Sequence, residues 1–216
     1  MTDSAAARRN MVEGQVRTAD VTDLRVIGAM LDIPRERFLP SASAGLAYLD
    51  LDVSLGEGGR RLLKPMVLSK MIQAAAIGET DRVLDVGCTT GYGAAVLSRM
   101  AGEVVALEQD ARFAEVAKAH LADRPNVRFV SGPLTAGWAA GAPYDAILME
   151  GASEIAPELL FRQLKDGGRL VCVLGAGPGA KATVFSRTGD EMGTRHIFDA
   201  AAAVLPGFAK PVEFAF

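Results

Sequence analysis

Hydrophobic and polar positions follow two regimes that change near residue 82. Ahead of that point, residues 4–17 and 22–31 read as helices, the second capped by Thr22 or Asp23 before LRVIGAML. A short segment, PRERFLP, follows at 34–40. Residues 50–61, DLDVSLGEGGRR, are glycine-rich without helical period and predict a loop. Pro65 then opens a helix to about Ile77, since a missing N–H costs nothing at the first helical position. From residue 82, short apolar runs without alternation recur at 82–87, 103–108, 126–130, 144–149 and 168–174. Between them lie the helical stretches GYGAAVLSRMA, DARFAEVAKAHLA and APELLFRQL. Unalternating strands separated by helices predict a buried parallel sheet. After Leu174 the spacing shortens through KATVFSR, TRHIFDA and PVEFAF, which predicts an antiparallel extension of the sheet edge. The fold class is α/β, a doubly wound sheet with its ligand at the carboxyl ends of the central strands.

Composition narrows this picture. A chain of 216 residues, 50% hydrophobic, suits one α/β domain over 1–216, with 1–64 as an N-terminal helical and loop extension. A net charge of −3 predicts no general affinity for nucleic acid or membrane. The N-terminus lacks the apolar core of a secretory signal, and no apolar run is long enough to span a bilayer. Cys88 and Cys172 are the only cysteines, and His120 and His196 the only histidines, so neither a disulfide framework nor a zinc site is expected. The expectation is a soluble cytoplasmic protein without metal.

Candidate chemistry centres on VLDVGCTTGYGAAVL, residues 83–97. Asp85 ends an apolar strand, Gly87 and Gly91 flank a turn, and a helix follows whose first N–H groups can receive an anionic or polar ligand group. Thr89 or Thr90 can cap that helix. Glu108 closes the next strand, 21 residues after Gly87, where a carboxylate can take both hydroxyls of a ribose. The plainer alternative is a tight strand–helix turn with Glu108 as a solvated strand end. A nicotinamide loop fits poorly, because Thr89 and Tyr92 fill its later glycine slots. GAGPGAK at 175–181 lacks the spacing of a phosphate loop and reads as a turn between edge strands. The Asp-x-Gly opening instead resembles the S-adenosylmethionine-dependent methyltransferases.

Over nearly its full length the chain resembles the protein-L-isoaspartate O-methyltransferases. The resemblance is carried by VTDLRVIGAMLDIPRERFLP (21–40), LGEGGRRLLKPMVLSKM (55–71), the 83–97 turn, NVRFVSG, Gly137-Trp138, APYDAIL and QLKDGGRLV. It implies a seven-stranded Rossmann-like methyltransferase sheet, S-adenosylmethionine as cofactor, the carboxylate of an isomerised aspartate as acceptor, and a monomer. In that family the product ester cyclises and reopens, returning some damaged sites to aspartate. The residues implied to hold the cofactor are Asp85, Gly87, Cys88, Thr89, Gly91, Tyr92, Glu108, Gln109, Gly132 and Leu134. The implied acceptor loop includes Gly56, Gly58, Arg61, Leu63 and Lys64.

Four motifs depart from the family's pattern. Its Thr-Ile-Ser-x-Pro is Arg61-Leu62-Leu63-Lys64-Pro65, so Leu63 stands at the serine position and no catalytic residue is assigned. Its Gly-Asp-Gly is Gly132-Pro133-Leu134; losing that aspartate removes a hydrogen bond worth about 1.5–3 kcal/mol, and Leu134 retains an N–H that Pro133 lacks. Its middle cofactor-loop glycine is Thr89, costly at positive φ and harmless at negative φ. Its Thr-Ala-Ala is Glu150-Gly151-Ala152. Arg60, Arg61 and Lys64 form either a solvated basic loop with two leucines tucked inward or an anion-binding lip, with Glu150 either the counter-charge holding that lip or a contact to donor or acceptor. Tyr92 and Trp138 are expected to pack rather than catalyse. Three functions follow: an isoaspartate methyltransferase, a methyltransferase with a changed acceptor, and a non-catalytic binding module.

Overall fold

The structure, a computed structural model, describes residues 4–56 and 58–211. The last residues of PVEFAF, 212–216, lie outside the described residues.

The N-terminal region is helical, as its pattern requires. Helix α1 (Ser4–Met11) continues through a π turn at Val12–Val16, and α2 spans Leu24–Asp32. Asp23 is the α2 cap, its carboxylate accepting from Arg25 N at 2.9 Å. The glycine-rich loop closes a two-residue ladder between β1 (Val53–Ser54) and β2 (Arg61–Leu62), where a wholly irregular loop was expected. Pro65 opens α3 (Pro65–Ala75) at its first turn.

Strand and helix then alternate: β3 (Arg82–Val86), α4 (Tyr92–Leu97), β4 (Glu103–Glu108), α5 (Ala111–Leu121), β5 (Val127–Ser131), β6 (Tyr144–Ser153), α6 (Glu158–Phe161) and β7 (Leu164–Leu174). Two strands outrun their predicted limits, β6 by four residues at its end and β7 by four at its start. The helix expected over APELLFRQL shrinks to one turn, α6, with Gln163 directly before β7. An antiparallel pair, β8 (Lys181–Thr188) and β9 (Glu191–Asp199), completes the edge, and GAGPGAK supplies the turn into it.

The seven strands run β5-β4-β3-β6-β7-β8-β9, with the first five parallel. Strand order reverses between β3 and β6, which opens a crevice beyond the carboxyl ends of β3, β4 and β6. One face of the sheet buries Val83, Val104, Ala146 and Leu148 under α2, α3 and α4. The other buries Leu84, Val105, Ile147 and Leu170 with Phe161, Phe185 and Phe208. Two covered faces explain why these strands read as unbroken apolar runs.

Candidate active site

Strand β3 delivers Asp85 and Val86, both buried, to the crevice. The chain turns at Gly87, at φ +79°, where a Cβ would stand 3.0 Å from Arg60 Nη2 and 3.2 Å from Leu205 Cδ2. The N–H groups of Gly87 and Cys88 both donate to Leu107 O, at 2.9 and 3.1 Å, stitching the turn to β4. Thr89 sits at φ +49°, so the strained alternative holds for this β-branched residue. The expected threonine cap does not form. Gly91 is the cap residue of α4, Thr90 Oγ1 donates to Phe38 O at 2.7 Å, and Thr89 Oγ1 is buried without a partner. A left-handed Thr89 aims its N–H at Glu108 instead of its hydroxyl at the helix.

Glu108 is not a solvated strand end; it is fully buried. Its Oε2 accepts from Thr89 N at 2.9 Å, and its Oε1 from Gln109 N at 2.9 Å and Asp110 N at 3.0 Å. The remaining partner comes from the loop before β2. Arg60 Nη1 donates to Oε1 and Nη2 to Oε2, each at 3.0 Å, and Nη2 also donates to Gly87 O at 3.0 Å. Arg60 is only 5% exposed, with its guanidinium 5.9 Å from the Phe113 ring centroid. This fork-to-fork pair is the strong form of a charged hydrogen bond. A carboxylate offers about four lone-pair directions, and Glu108 already meets five N–H contacts.

Other predicted cofactor residues gather at the same strand ends. Gln109 Oε1 accepts from Leu134 N at 3.2 Å, so the N–H spared by Pro133 is engaged within the protein. Gly132 N donates to Glu108 O at 3.2 Å. Cys88 and Leu134 are fully buried, and burial pushes the Cys88 thiol well up. Tyr92 packs in the core between Phe38, 5.5 Å away edge-on, and the Arg35 guanidinium, 4.9 Å from its ring centroid. The half-buried Trp138 lies at the Gly132 side of the site.

The basic loop divides. Arg60 turns inward, Arg61 points to solvent, and Lys64 is half-buried, so the three do not converge on an anion-binding lip. Leu62 and Leu63 are tucked into the core at 0% and 2% exposure, as the plainer alternative holds, although the first arginine joins them. Gly56, Gly58 and Gly59 all have positive φ in the tight β1–β2 connection, which swings Arg60 under the sheet ends. Arg35, fully buried, donates to Ala47 O at 2.8 Å and Leu63 O at 2.7 Å, and Asp52 accepts from Lys64 N at 2.7 Å. Glu150 lines a crevice of about 10 Å³ together with Arg60, Arg61, Leu63 and Leu205.

Two participants carried no usable sequence signal. One is the inward arginine, indistinguishable by type from its exposed neighbour. The other is the strap at 203–208, which bridges to β6 through Ala152 N to Ala203 O and Leu205 N to Ala152 O, both 2.8 Å. It seats Leu205, 3% exposed, against Gly87 and Gly151.

Sheet order, turn and acidic strand end define the class: a Rossmann-like methyltransferase sheet. The family described as protein-L-isoaspartate(D-aspartate) O-methyltransferase matches residues 6–201. A protein-L-isoaspartate O-methyltransferase of Methylorubrum extorquens (strain PA1) is 42% identical over 188 residues, 87% of this chain and 82% of that one. One of Koribacter versatilis (strain Ellin345) is 37% identical, covering 82% and 80%. A solved protein-L-isoaspartate O-methyltransferase superposes with a TM-score of 0.82 at 26% identity, over 93% of this chain and 66% of that one. A Plasmodium falciparum structure in complex with S-adenosyl-L-homocysteine superposes at 0.78 and, at 15% identity, shows the shared fold; it covers 92% of this chain and 97% of that one. The chain belongs to the protein-L-isoaspartate O-methyltransferase family, whose methyl donor is S-adenosylmethionine.

The family's cofactor does not fit the arrangement described. Arg60 occupies both oxygens of Glu108, Leu205 stands over Gly87, and the crevice between Arg60, Glu150 and Leu205 is only about 10 Å³.

Proposed function

We infer that this chain is an S-adenosylmethionine-dependent O-methyltransferase acting on a carboxylate of damaged aspartyl residues. The observation that carries the reading is the Asp85–Gly91 turn beside Glu108 at the point of strand reversal, within a chain matching the family over 6–201. An isoaspartyl carboxylate has an unperturbed pKa near ~4 and is already nucleophilic at neutral pH. No general base is required, and Leu63 offers none. The acceptor side supplies orientation, where misplacement costs on the order of 10²-fold in rate.

The test is transfer of labelled methyl groups to an isoaspartyl peptide, read as base-labile ester, with the normal aspartyl peptide as control. Ester on the isoaspartyl peptide alone supports the reading; equal labelling of both peptides sinks it. A changed acceptor is the second reading, favoured by the burial of Leu63 at the position where the family carries a serine. It is distinguished by measurable cofactor binding without ester on either peptide.

A further inference from the structure

Arg60 makes three hydrogen bonds at the site's centre, two to Glu108 and one to Gly87 O. Those are the groups at which a ribose-bearing ligand would meet β3 and β4, since a carboxylate ending the second strand takes ribose hydroxyls in such sheets. Hydroxyl donors cannot join a carboxylate whose lone pairs are already filled; they must replace an existing donor. The Thr89, Gln109 and Asp110 N–H groups belong to the backbone of the turn and of β4's end. Arg60 alone reaches Glu108 by a long side chain from another segment, the connection closed by Leu55 N to Arg60 O at 3.1 Å.

Leu205 completes the closure. Its Cδ2 stands 2.7 Å from a Cβ position on Gly151 and 3.2 Å from that on Gly87. It is held by the strap rather than by a regular strand of the sheet. The displaced arginine has somewhere to go. Phe113, beside its guanidinium, also lines a cavity of about 400 Å³ with Leu55, Thr90 and His120.

We propose that Arg60, backed by Leu205, is an intramolecular competitor for the cofactor site: its guanidinium occupies the ribose position on Glu108, and the adenosyl cofactor binds only when Arg60 swings out. This rests on the reading that the Gly87–Glu108 site is an adenosyl site. A protein whose competent state is a minor fraction shows an affinity reduced by that fraction. Removing the competitor therefore tightens binding without adding a contact. An arginine that contacted the cofactor directly would give the opposite sign.

The experiment is calorimetric titration of S-adenosylhomocysteine into the full chain and its Arg60→Ala, Arg60→Gln and Leu205→Ala variants, with folding checked by circular dichroism. Arg60→Gln retains a side-chain amide near Gly87 O, and Leu205→Ala opens the other wall. Each keeps the proposal falsifiable should Arg60→Ala not fold. The expected result is at least tenfold tighter binding in the folded Arg60 variants, a smaller gain in Leu205→Ala, and loss of binding when Glu108→Ala is added to any of them. Equal or weaker binding by the folded Arg60 variants overturns the competitor while leaving the adenosyl site standing. No binding by any folded variant at millimolar ligand overturns the adenosyl site and the competitor with it.

Discussion

Asp85 and Glu150 lie on the same face of paired strands β3 and β6, Asp85 opposite Leu148 and Glu150 two residues further on, both out of reach of water. Burial raises both carboxyls: Asp85 to about 7, and Glu150 well above its ordinary value, with the charge of Asp85 adding to the second shift. Both carboxyls therefore hold their protons to a higher pH than in the unfolded chain. Both folded-state pKa values exceed the unfolded ones, so the folded protein binds more protons. The resulting stability is complete below about pH 4 and is lost as pH rises toward and beyond 7.

Glu150→Gln removes one of the two titrations. The pair's contribution to the pH slope is at most about 1.4 kcal/mol per unit for each group. Urea midpoints should show the variant more stable than the wild type at pH 8, with the gap narrowed at pH 5. A gap independent of pH would mean that folding does not raise the Glu150 carboxyl.

Thr89 holds a left-handed backbone with its hydroxyl buried and unpartnered. Strain of about 1–3 kcal/mol outweighs the entropy cost of glycine, roughly 0.4–1 kcal/mol. Thr89→Gly should stabilise the protein by about 1 kcal/mol, read from denaturant unfolding. Because the Thr89 N–H to Glu108 survives the change, the turn itself should persist. Unchanged or reduced stability would place a compensating contact on the threonine methyl.

The sheet was legible because β3, β4 and β6 are buried on both faces and so read as apolar runs, and Asp23 and Pro65 announced their helix starts by type. The tight turn after β3 was legible from its glycines, since Gly87 and Gly91 both sit at positive φ. Arg60 was not. A long cationic side chain is ordinarily exposed, and what turns this one inward is a partner distant in sequence, Glu108, whose burial depends on the completed sheet. The 203–208 strap was missed because backbone bonds to Ala152 and Glu154 hold it without any repeating pattern. The end of β6 was missed because Glu150, a charged residue in a buried strand, breaks the apolar run.

Arg35 ties the segment after α2 to the loop before α3. Its Nε serves Ala47 O, Nη2 serves Leu63 O, and the planar group lies against Tyr92. Lysine cannot reproduce two divergent bonds and a stacked plane. Arg35→Lys should cost about 2–4 kcal/mol of stability. Hydrogen exchange of the Leu62 and Leu63 amides should rise in parallel. A loss under 1 kcal/mol, on the order of a single neutral hydrogen bond, would show that Arg35 merely fills space.

Leu63 stands where the family resemblance expects a serine, which invites the reversion Leu63→Ser as a gain of function. The packing argues against it. Leu63 is 2% exposed and belongs to the core beneath α3, while its carbonyl is pinned by Arg35. A serine there loses the buried apolar volume and places a hydroxyl among apolar side chains, at a cost of about 2–4 kcal/mol. The crevice that Leu63 borders with Arg60, Glu150 and Leu205 is only about 10 Å³, so a hydroxyl there cannot orient an acceptor without a rearrangement of the loop. Leu63→Ser should therefore lower the urea midpoint and leave isoaspartyl methylation no faster than wild type at a temperature where both are folded. A rate increase of tenfold or more would show that the loop re-registers toward the family's arrangement, and that burial of Leu63 is what holds the acceptor side in its present form.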